Sequence, residues 1–459
     1  MSQPIPNTPE RQSIHGQWSS RWTFILAATG AAVGLGNIWK FPYLTGEHGG
    51  SAFVLVYMLC VAALGIPMMM AEVMLGRRGR QSPVNTMQTL AEETGGSQWW
   101  QIIGWSGTVA GVLILSYYSV IGGWTIAYVF KSAGGLFHGA TAEGAQQLFE
   151  DFVSSPWIVF FWHSFFMVMT MVVVARGVKS GLEKAVQFLM PALFVLLLMV
   201  MGYSMTTGYF SKSLAFLFTP DFSRLSGTSM LTAMGQAFFS LSLGMGTIMI
   251  YGSYVPKGTS IAGTSCAIAG ADTAVALIAG MAIFPIVFAN GMEPGAGPSL
   301  IFQTLPVAFG QMTGGLVFGV LFFVLLLVAA WTSSISLIEP AVTLLIERFA
   351  MTRAAASFWC GVLTWLLGLG TIFSFNIWSG TTLFNMTFFG LLDFLTSNLM
   401  LPLGGILIAV FAGWIMTQDS SQSELNITNP RGYKAWILLI RFIAPIAVLI
   451  VLLHAVGFL

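Results

Sequence analysis

The sequence predicts an all-α integral membrane protein built from two related halves. Of its 459 residues, 56% are hydrophobic and only 8% are charged, so nearly the whole chain must lie in lipid. Two hydrophobic stretches, residues 22–45 and 230–254, are each long enough to cross a bilayer, yet closely spaced glycines interrupt both in the middle. Unwound backbone at this depth persists only where it lines a polar cavity or is buried in protein. The pair therefore indicates a site at the centre of the membrane.

About 20 apolar residues span a bilayer as a helix. On this measure the chain forms one transmembrane domain over residues 22–457, after a polar N-terminal segment at 1–21. The eleven predicted helices are 22–44, 52–75, 101–130, 157–175, 185–206, 228–254, 260–288, 316–348, 355–372, 381–416 and 435–457. The net charge of +1 argues against a nucleic-acid partner, and three cysteines in separate apolar segments predict neither a disulfide nor a metal site.

Lysine and arginine residues are distributed unequally between the two ends of these helices. Fourteen fall on the side of the N-terminus and four on the other, namely Lys40, Lys131, Lys212 and Arg224. Because basic loops remain in the cytoplasm, the N-terminus is predicted to be cytoplasmic and, after an odd number of helices, the C-terminus external. The N-terminal segment has no short apolar core followed by a cleavage site, so the first helix itself is expected to direct insertion.

The two broken helices are the first and the sixth, so each opens a five-helix unit. This spacing predicts an inverted repeat of helices 1–5 and 6–10, with helix 11 outside it. Uncoiling at residues 34–36 and 244–246 frees backbone carbonyls for a cation and exposes partially positive half-helix N-termini to a carboxylate. Close helix packing is the commoner explanation for a single glycine, but two matched clusters favour a binding site.

Polar side chains lie beside both breaks and in helix 8. Asn37 follows the first break, Ser240 and Ser242 precede the second, and Thr332 and Ser333 are adjacent in helix 8. Amide and hydroxyl oxygens are ligands suited to a hard cation. A membrane hydroxyl also often bonds to the carbonyl one turn behind it, so for each residue that alternative stays open.

Asp272 lies midway along the seventh helix. A carboxylate at this depth costs on the order of 2.5–3.5 kcal/mol on insertion scales, so a functional role is the default interpretation. Glu72 and Glu339 lie nearer helix ends, where structural pairing is equally compatible. In helix 3, Tyr118 offers a phenol to a substrate carboxylate; an interfacial tyrosine is the alternative.

These residues resemble the neurotransmitter:sodium symporter family over nearly the whole chain. The matching motifs are Gly-Leu-Gly-Asn-Ile-Trp-Lys-Phe-Pro at 34–42, Gly-Ile-Pro at 65–67, Gln-Ala-Phe-Phe-Ser-Leu-Ser-Leu-Gly at 236–244, Thr-Ser-Ser at 332–334 and Leu-Pro-Leu-Gly-Gly at 401–405. The resemblance implies a LeuT-like fold and a location in a cell membrane, namely a bacterial inner membrane. It also implies sodium-coupled symport of neutral, hydrophobic L-amino acids by alternating access. The alternative is sodium-coupled transport of another small zwitterion or amine.

The resemblance also implies two sodium sites, no chloride and one substrate pocket. The first sodium site would use the Ala32 carbonyl, Asn37, Ser240, Asp272 and the substrate carboxylate. The second would use the carbonyls of Gly30, Val33 and Ala329 with Thr332 and Ser333. The substrate pocket would comprise Ala32, Leu35, Gly36, Ile114, Tyr118, Phe239, Ser240, Ser242, Met245, Ser333 and Leu337.

Two gates are implied in the same way. Lys40 and Asp393 resemble the outer pair, and Glu347 resembles the acidic inner residue. Its N-terminal partner is His15 where the family usually has arginine, with Arg11 as the alternative. The remaining implied gate residues are Ile121, Phe239 and Tyr254.

Three features separate this chain from the usual family pattern. It lacks a twelfth helix, it has His15 at the inner gate, and Asp272 stands where asparagine is usual. Chloride-dependent relatives have a serine at the position of Ala276, and chloride-independent ones usually a carboxylate. Because Asp272 lies four residues earlier, on the same helix face, the fixed negative charge is inferred to have moved one turn.

Short features of the sequence bear on two other functions, and both are disfavoured. Monoamine transporters of the family carry an aspartate at the position of Gly34, so its absence favours amino acids. The run Gly-Trp-Ser-Gly at 104–107 matches the serine motif of intramembrane proteases, with His163 as the one candidate base in mid-span. That motif is short, so the chain is predicted not to be an enzyme. The expected partners are the amino acid and membrane lipid; the oligomeric state is not predicted.

Overall fold

A computed structural model of the chain describes residue 11 and residues 13–292, 300–427 and 429–458. Within these ranges the chain is helical with connecting turns, and the one β-type pairing is an isolated bridge between Leu383 and Met386. Most of the first half of the predicted N-terminal segment, residues 1–10 and 12, lies outside the described residues. So do residues 293–299 of the segment between the seventh and eighth helices.

Nine unbroken helices in the described chain are long and apolar enough to cross a membrane. They are α2 (Ser51–Gly79), α3 (Gln98–Ala133), α4 (Pro156–Ala175), α5 (Val178–Met205), α7 (Ile261–Ala289), α8 (Gly315–Phe349), α9 (Arg353–Ser374), α10 (Phe388–Ile415) and α11 (Pro430–Ala455). Each overlaps a predicted span.

Two further spans, α1 and α6, are broken where the glycines predict. The halves α1a (Arg21–Ala32) and α1b (Gly36–Glu47) meet at an angle of 55°. The halves of the sixth are α6a (Gly227–Ser240) and α6b (Thr247–Ser253). With α1, ten spans in the described residues are long and apolar enough to cross a membrane, and the two short halves of α6 lie where the sequence predicts the remaining one.

The break in α6 depends on residues that tolerate a left-handed backbone. Ser242, Gly244 and Gly246 have φ values of 54°, 80° and 72°. At Gly244 a Cβ atom would also lie 2.7 Å from the carbonyl oxygen of Leu401, so space and backbone conformation both require glycine. Ser242 adopts the same conformation with a side chain, which marks it as a strained position held by its surroundings.

The broken helices form the centre of the bundle. α1a packs against α5, α7 and α8, whereas α6a and α6b pack along α2. The contact between α6b and α2 is close because Gly76 has no side chain; a Cβ there would lie 1.8 Å from the carbonyl oxygen of Met249. The Ser242 hydroxyl donates to the carbonyl of Ala31 at 2.9 Å. The two unwound segments therefore lie side by side.

Several features outside the membrane spans were not predicted. Short helices connect the spans at Pro83–Glu93, Ala142–Ser154, Phe210–Phe218, Leu305–Gln311 and Gln418–Leu425. The prediction that the tenth span begins at 381 was wrong, because α10 begins at Phe388 after an exposed turn that includes Phe384 and Asn385 at positive φ. Thr387 caps the helix by accepting from the N–H of Gly390 at 3.2 Å, a local hydrogen bond that hydropathy does not reveal.

Candidate substrate and ion site

The break in α1 frees backbone carbonyls by redirecting their usual donors. The N–H of Gly34 donates to the side-chain oxygen of Asn37 at 3.2 Å, and the N–H of Asn37 donates to the Gly34 carbonyl at 3.2 Å. In a continuous helix these groups would bond to the carbonyls of Gly30 and Val33. Those two oxygens therefore have capacity for another partner.

Residues of α8 meet these freed carbonyls. The Ser333 hydroxyl lies 3.4 Å from the carbonyl oxygen of Gly30 and 3.1 Å from that of Val33. The adjacent Thr332 hydroxyl lies 3.1 Å from the Ala329 carbonyl oxygen, within its own helix. All five residues predicted for the second sodium site are thus at the α1a–α8 contact, and all are buried.

A second cluster surrounds Asp272 of α7. Asn37 donates to one carboxylate oxygen at 2.8 Å, and Ser240 donates to the other at 2.6 Å. The phenol of Tyr57, on α2, lies 3.4 Å from the second oxygen. Three side-chain donors thus converge on a carboxyl group that is fully buried. A carboxylate, which only accepts hydrogen bonds, suits this arrangement.

The chemistry of both clusters fits sodium. The groups are backbone carbonyls, hydroxyls, one amide and one carboxylate, and hard cations prefer such oxygen ligands. One ion would bind at the residues predicted for the second site, Gly30, Val33, Ala329, Thr332 and Ser333. The other ion would bind at those predicted for the first site, Ala32, Asn37, Ser240 and Asp272. A bound cation there would offset the burial of Asp272.

A cavity lies between the two clusters. All eleven residues predicted for substrate binding line it, and Ala31 and Gly34 join them. The Tyr118 hydroxyl accepts from the N–H of Leu35 at 3.1 Å, so this phenol faces the unwound backbone of α1. Ala31 was missed, although its position beside the glycine-rich break was the available signal, and Gly34 had been singled out only as the position of the monoamine aspartate.

The cavity is narrow in this conformation, with a volume of about 30 Å³. Ile114, Met245 and Leu337 supply apolar walls, and an amino-acid side chain would have to displace them. Met245 is the most adaptable, because methionine has three rotatable side-chain bonds. At Gly34 a Cβ atom would lie 2.6 Å from the Ser333 hydroxyl and 2.8 Å from the Tyr118 hydroxyl, so no larger residue fits there unchanged.

On the α1b side, Phe239 separates the cavity from a larger pocket that Lys40 lines. The Lys40 ammonium lies 4.5 Å from the centre of the Phe239 ring. The predicted ion pair with Asp393 is absent from the described residues, because Lys40 faces this ring and Asp393 accepts from the Ser397 hydroxyl at 3.0 Å. Ile121 is buried one turn beyond Tyr118 and does not line the cavity.

On the N-terminal side, His15 contacts Glu347 at 2.9 Å between ring Nε2 and the carboxylate. Glu347 also accepts from the N–H of Ser82 at 2.8 Å and from the Asn85 amide at 2.7 Å. It therefore also holds the start of the helix Pro83–Glu93 in place. Arg11, the alternative partner, pairs with Glu93 at 2.6 Å.

Further contacts near His15 and Glu347 also close the N-terminal side of the protein. The Tyr254 hydroxyl donates to Glu339 at 2.7 Å, and Arg353 binds the same carboxylate through two nitrogens at 3.0 and 2.6 Å. The interpretation that Glu339 is structurally paired fits this contact. The arginine was missed because it lies at the first residue of α9, just before the predicted span 355–372. The indole of Trp18 donates to the Tyr251 carbonyl at 3.1 Å, which the sequence did not predict.

The protease-like motif does not assemble a catalytic pair. The ring nitrogens of His163 contact the Ser119 hydroxyl at 3.1 Å and the Trp365 carbonyl at 3.3 Å. At Gly104 a Cβ atom would lie 2.4 Å from the backbone of Val84, so this glycine permits close packing. The histidine instead joins α3, α4 and α9.

Comparison with known proteins supports the same assignment. The model of the sodium:neurotransmitter symporter family matches residues 15–143 and 144–458. A sodium-dependent transporter of Bacillus subtilis is 37% identical over 446 residues, which are 96% of this chain and 98% of the relative. A sodium-dependent transporter of Haemophilus influenzae is 34% identical over 457 residues, 97% of this chain and 98% of the relative.

The fold matches a solved structure of a protein with a bound amino acid. The crystal structure of MhsT in complex with L-phenylalanine superimposes with a TM-score of 0.88 and is 45% identical, covering 96% of this chain and 99% of MhsT. The predicted LeuT-like fold is therefore confirmed, and so is the prediction that the chain is a multi-pass transporter and not an enzyme. The chain is a sodium-dependent transporter and belongs to the sodium:neurotransmitter symporter family.

Proposed function

We propose that this transporter carries neutral, hydrophobic L-amino acids into the cell together with two sodium ions. The observation that carries the proposal is the cavity between the two oxygen clusters, which combines unwound backbone with apolar walls. The backbone and hydroxyl groups suit the zwitterionic end common to all amino acids. The apolar residues suit a hydrophobic side chain.

Each end of the substrate has a partner in this arrangement. The carboxylate would meet the Tyr118 hydroxyl and the amides of Leu35 and Gly36, at the partially positive start of α1b. The side chain would lie among Ile114, Met245 and neighbouring apolar residues of the cavity. The complex of MhsT with L-phenylalanine supports a pocket that expands to accept an aromatic ring.

Transport is proposed to proceed from outside to inside without chloride. The bias of basic residues supports a cytoplasmic N-terminus and an external C-terminus, and the bacterial relatives support a location in a bacterial inner membrane. Asp272 supplies a fixed negative charge beside the first sodium ligands, the role that chloride would otherwise have. Phe239 on one side and the His15–Glu347 contact on the other are the candidate gates.

The alternative, an amine substrate, requires a negative charge that meets the amino group inside the cavity. An aspartate at position 34 would clash with Ser333 and Tyr118, since a Cβ atom alone comes within 2.8 Å of both hydroxyls. An amine without a carboxylate would also have no group to place at the partially positive start of α1b. The pocket therefore favours a zwitterion.

A panel of amino acids tests this proposal directly. Purified transporter in proteoliposomes should take up radiolabelled L-phenylalanine with an inward sodium gradient and only at background level with potassium. Unlabelled aliphatic and aromatic L-amino acids should compete, whereas phenylethylamine, which lacks the carboxylate, should not. Uptake that is equal in potassium and sodium would contradict symport, and competition by glycine or charged amino acids alone would contradict the substrate class.

Substitution of Gly34 tests the fit of the cavity. Gly34→Ala is expected to reduce L-phenylalanine binding at least tenfold, because the new methyl group overlaps the Ser333 and Tyr118 hydroxyls. Gly235→Ala is a suitable control, because there a Cβ atom meets only Val451 at 3.7 Å. Scintillation proximity binding measures both variants. Unchanged binding by Gly34→Ala would show that the substrate site lies elsewhere.

Removal of the His15 side chain is expected to loosen the inner gate. His15→Ala loses the hydrogen bond between the ring and Glu347, whereas Ser82 and Asn85 still hold that carboxylate, so we expect the inner opening rate to rise by about two- to tenfold. Accessibility of a cysteine introduced in the inner pathway measures this rate. An opening rate equal to that of wild type would exclude the role.

A further inference from the structure

A groove opens on the flank of the protein where α3 ends and α4 begins. We call it the α3–α4 groove and define it by Phe130, Lys131, Asp151, Phe152, Ile158 and Trp162. Its volume is about 440 Å³. Because α3 is the third span, the groove lies on the membrane face opposite the N-terminus, and the substrate cavity shares none of its residues.

The walls of the groove are apolar and open to the bilayer. Phe130 and Ile158 are 62% and 48% exposed, and Phe130 stacks on Trp162 with 5.4 Å between ring centres. Along α4, Phe161 and Phe165 are exposed one turn apart and continue the apolar surface toward the middle of the membrane. A hydrocarbon chain can therefore follow this surface from the groove into the lipid.

The mouth of the groove carries two opposite charges that do not pair with each other. The Lys131 ammonium lies 4.3 Å from the centre of the Phe152 ring and donates to the Leu148 carbonyl at 3.4 Å. Asp151, on the helix Ala142–Ser154, is exposed and accepts from Gln147 at 2.7 Å. Among the described residues neither has an ion pair within 4.0 Å. Both retain hydrogen-bonding capacity for a ligand.

We propose that the α3–α4 groove binds a phospholipid whose head group carries a phosphate and a primary ammonium, that is, a phosphatidylethanolamine. Its phosphate would bind Lys131, its ammonium would bind Asp151, and an acyl chain would lie against Phe130, Ile158 and Trp162. The two charges distinguish head groups. A phosphoglycerol head offers Asp151 only neutral hydroxyl donors and no positive charge, and a phosphocholine ammonium has no N–H to donate. An interfacial tryptophan beside the site agrees with a position at head-group depth.

The experiment compares three phospholipids with identical acyl chains and phosphoethanolamine, phosphocholine or phosphoglycerol head groups. Each is added to the delipidated full-length transporter in detergent, and bound lipid is counted by native mass spectrometry. Wild type is expected to bind the phosphoethanolamine lipid about tenfold more tightly than either other lipid, as one additional charge-assisted hydrogen bond predicts. Lys131→Gln should weaken binding of all three lipids by about tenfold.

The role of the Asp151 carboxylate is tested by substitutions of Asp151 and by a matched control elsewhere in the protein. Asp151→Asn should remove the preference for phosphoethanolamine over phosphocholine and leave phosphocholine affinity unchanged, whereas Asp151→Glu should keep the preference. Lys212→Gln is the control, because Lys212 also lies over an aromatic ring, 4.6 Å from the centre of Phe288, outside the groove. It should bind all three lipids as wild type does.

Two results would overturn the proposal. Equal affinity of wild type for the three head groups would show that lipid covers the groove without recognition. A preference for phosphoglycerol would show that Lys131 acts alone and that the groove takes an anionic lipid instead. Sodium-dependent thermal stabilisation, measured on each variant, confirms that the protein is folded, so an effect on lipid is separable from an effect on the transport site.

Discussion

Replacing Thr332 and Ser333 together by alanine is expected to abolish sodium-driven uptake while the protein remains folded. The double substitution removes both side-chain oxygens of the proposed second sodium site and leaves only the carbonyls of Gly30, Val33 and Ala329. A cation that loses two of its ligands in a buried site has no water to replace them. Uptake of radiolabelled amino acid into proteoliposomes should fall to the level without a sodium gradient. Stabilisation of the purified protein by sodium should weaken in parallel.

Ser334 provides the matched control for this variant. It follows Ser333 in α8, but its hydroxyl lies 2.9 Å from that of Thr170 and 2.8 Å from the Trp331 carbonyl, away from α1. Ser334→Ala should therefore retain sodium-driven uptake. If the Thr332→Ala/Ser333→Ala protein transported as well as this control, the second sodium site would not be at the α1a–α8 contact.

Asp272→Asn is expected to lose transport, and adding Ala276→Ser is expected to restore it only when chloride is present. A negative charge beside the first sodium offsets the cost of holding a cation in a buried site. In wild type we propose that this charge is the Asp272 carboxylate, which accepts from Asn37 and Ser240 at 2.8 and 2.6 Å. Wild-type uptake should accordingly be as fast in gluconate as in chloride. The double variant would obtain the charge from a bound chloride ion.

The variant Ala276→Ser alone is the control for this pair. Ala276 is fully buried on the same helix as Asp272, so the single variant tests the effect of the new hydroxyl without loss of the carboxylate. It should remain independent of chloride. A wild type that stops without chloride, or Asp272→Asn with normal sodium affinity and rate, would contradict the displaced charge. The second outcome would favour the alternative, a protonated Asp272 that acts as a neutral group and returns a proton when the empty carrier reorients.

The sequence predicted the spans and the two breaks well because both are local properties. A span needs only enough apolar residues to cross the lipid, and a break needs residues that tolerate unwound backbone. Residues 34–36 and 244–246 carry that information themselves, and the structure interrupts α1 and α6 there. The resemblance to the family then assigned eleven cavity residues, a set that no local pattern distinguishes from ordinary helix contacts. The short helices between the spans were not predicted, because hydropathy identifies only segments that are apolar enough to cross the membrane.

Composition and glycine alone specify the class of molecule and the position of the unwound segments. Which carbonyl, hydroxyl and carboxylate oxygens lie close together depends on the tertiary structure. Ser333 reaches the Gly30 and Val33 carbonyls across about 300 residues of chain, and Lys40 faces the Phe239 ring instead of Asp393. It also brought Arg353 to Glu339 and formed the α3–α4 groove. These contacts depend on how helices pack against one another, because partners distant in the chain meet only after the bundle has formed.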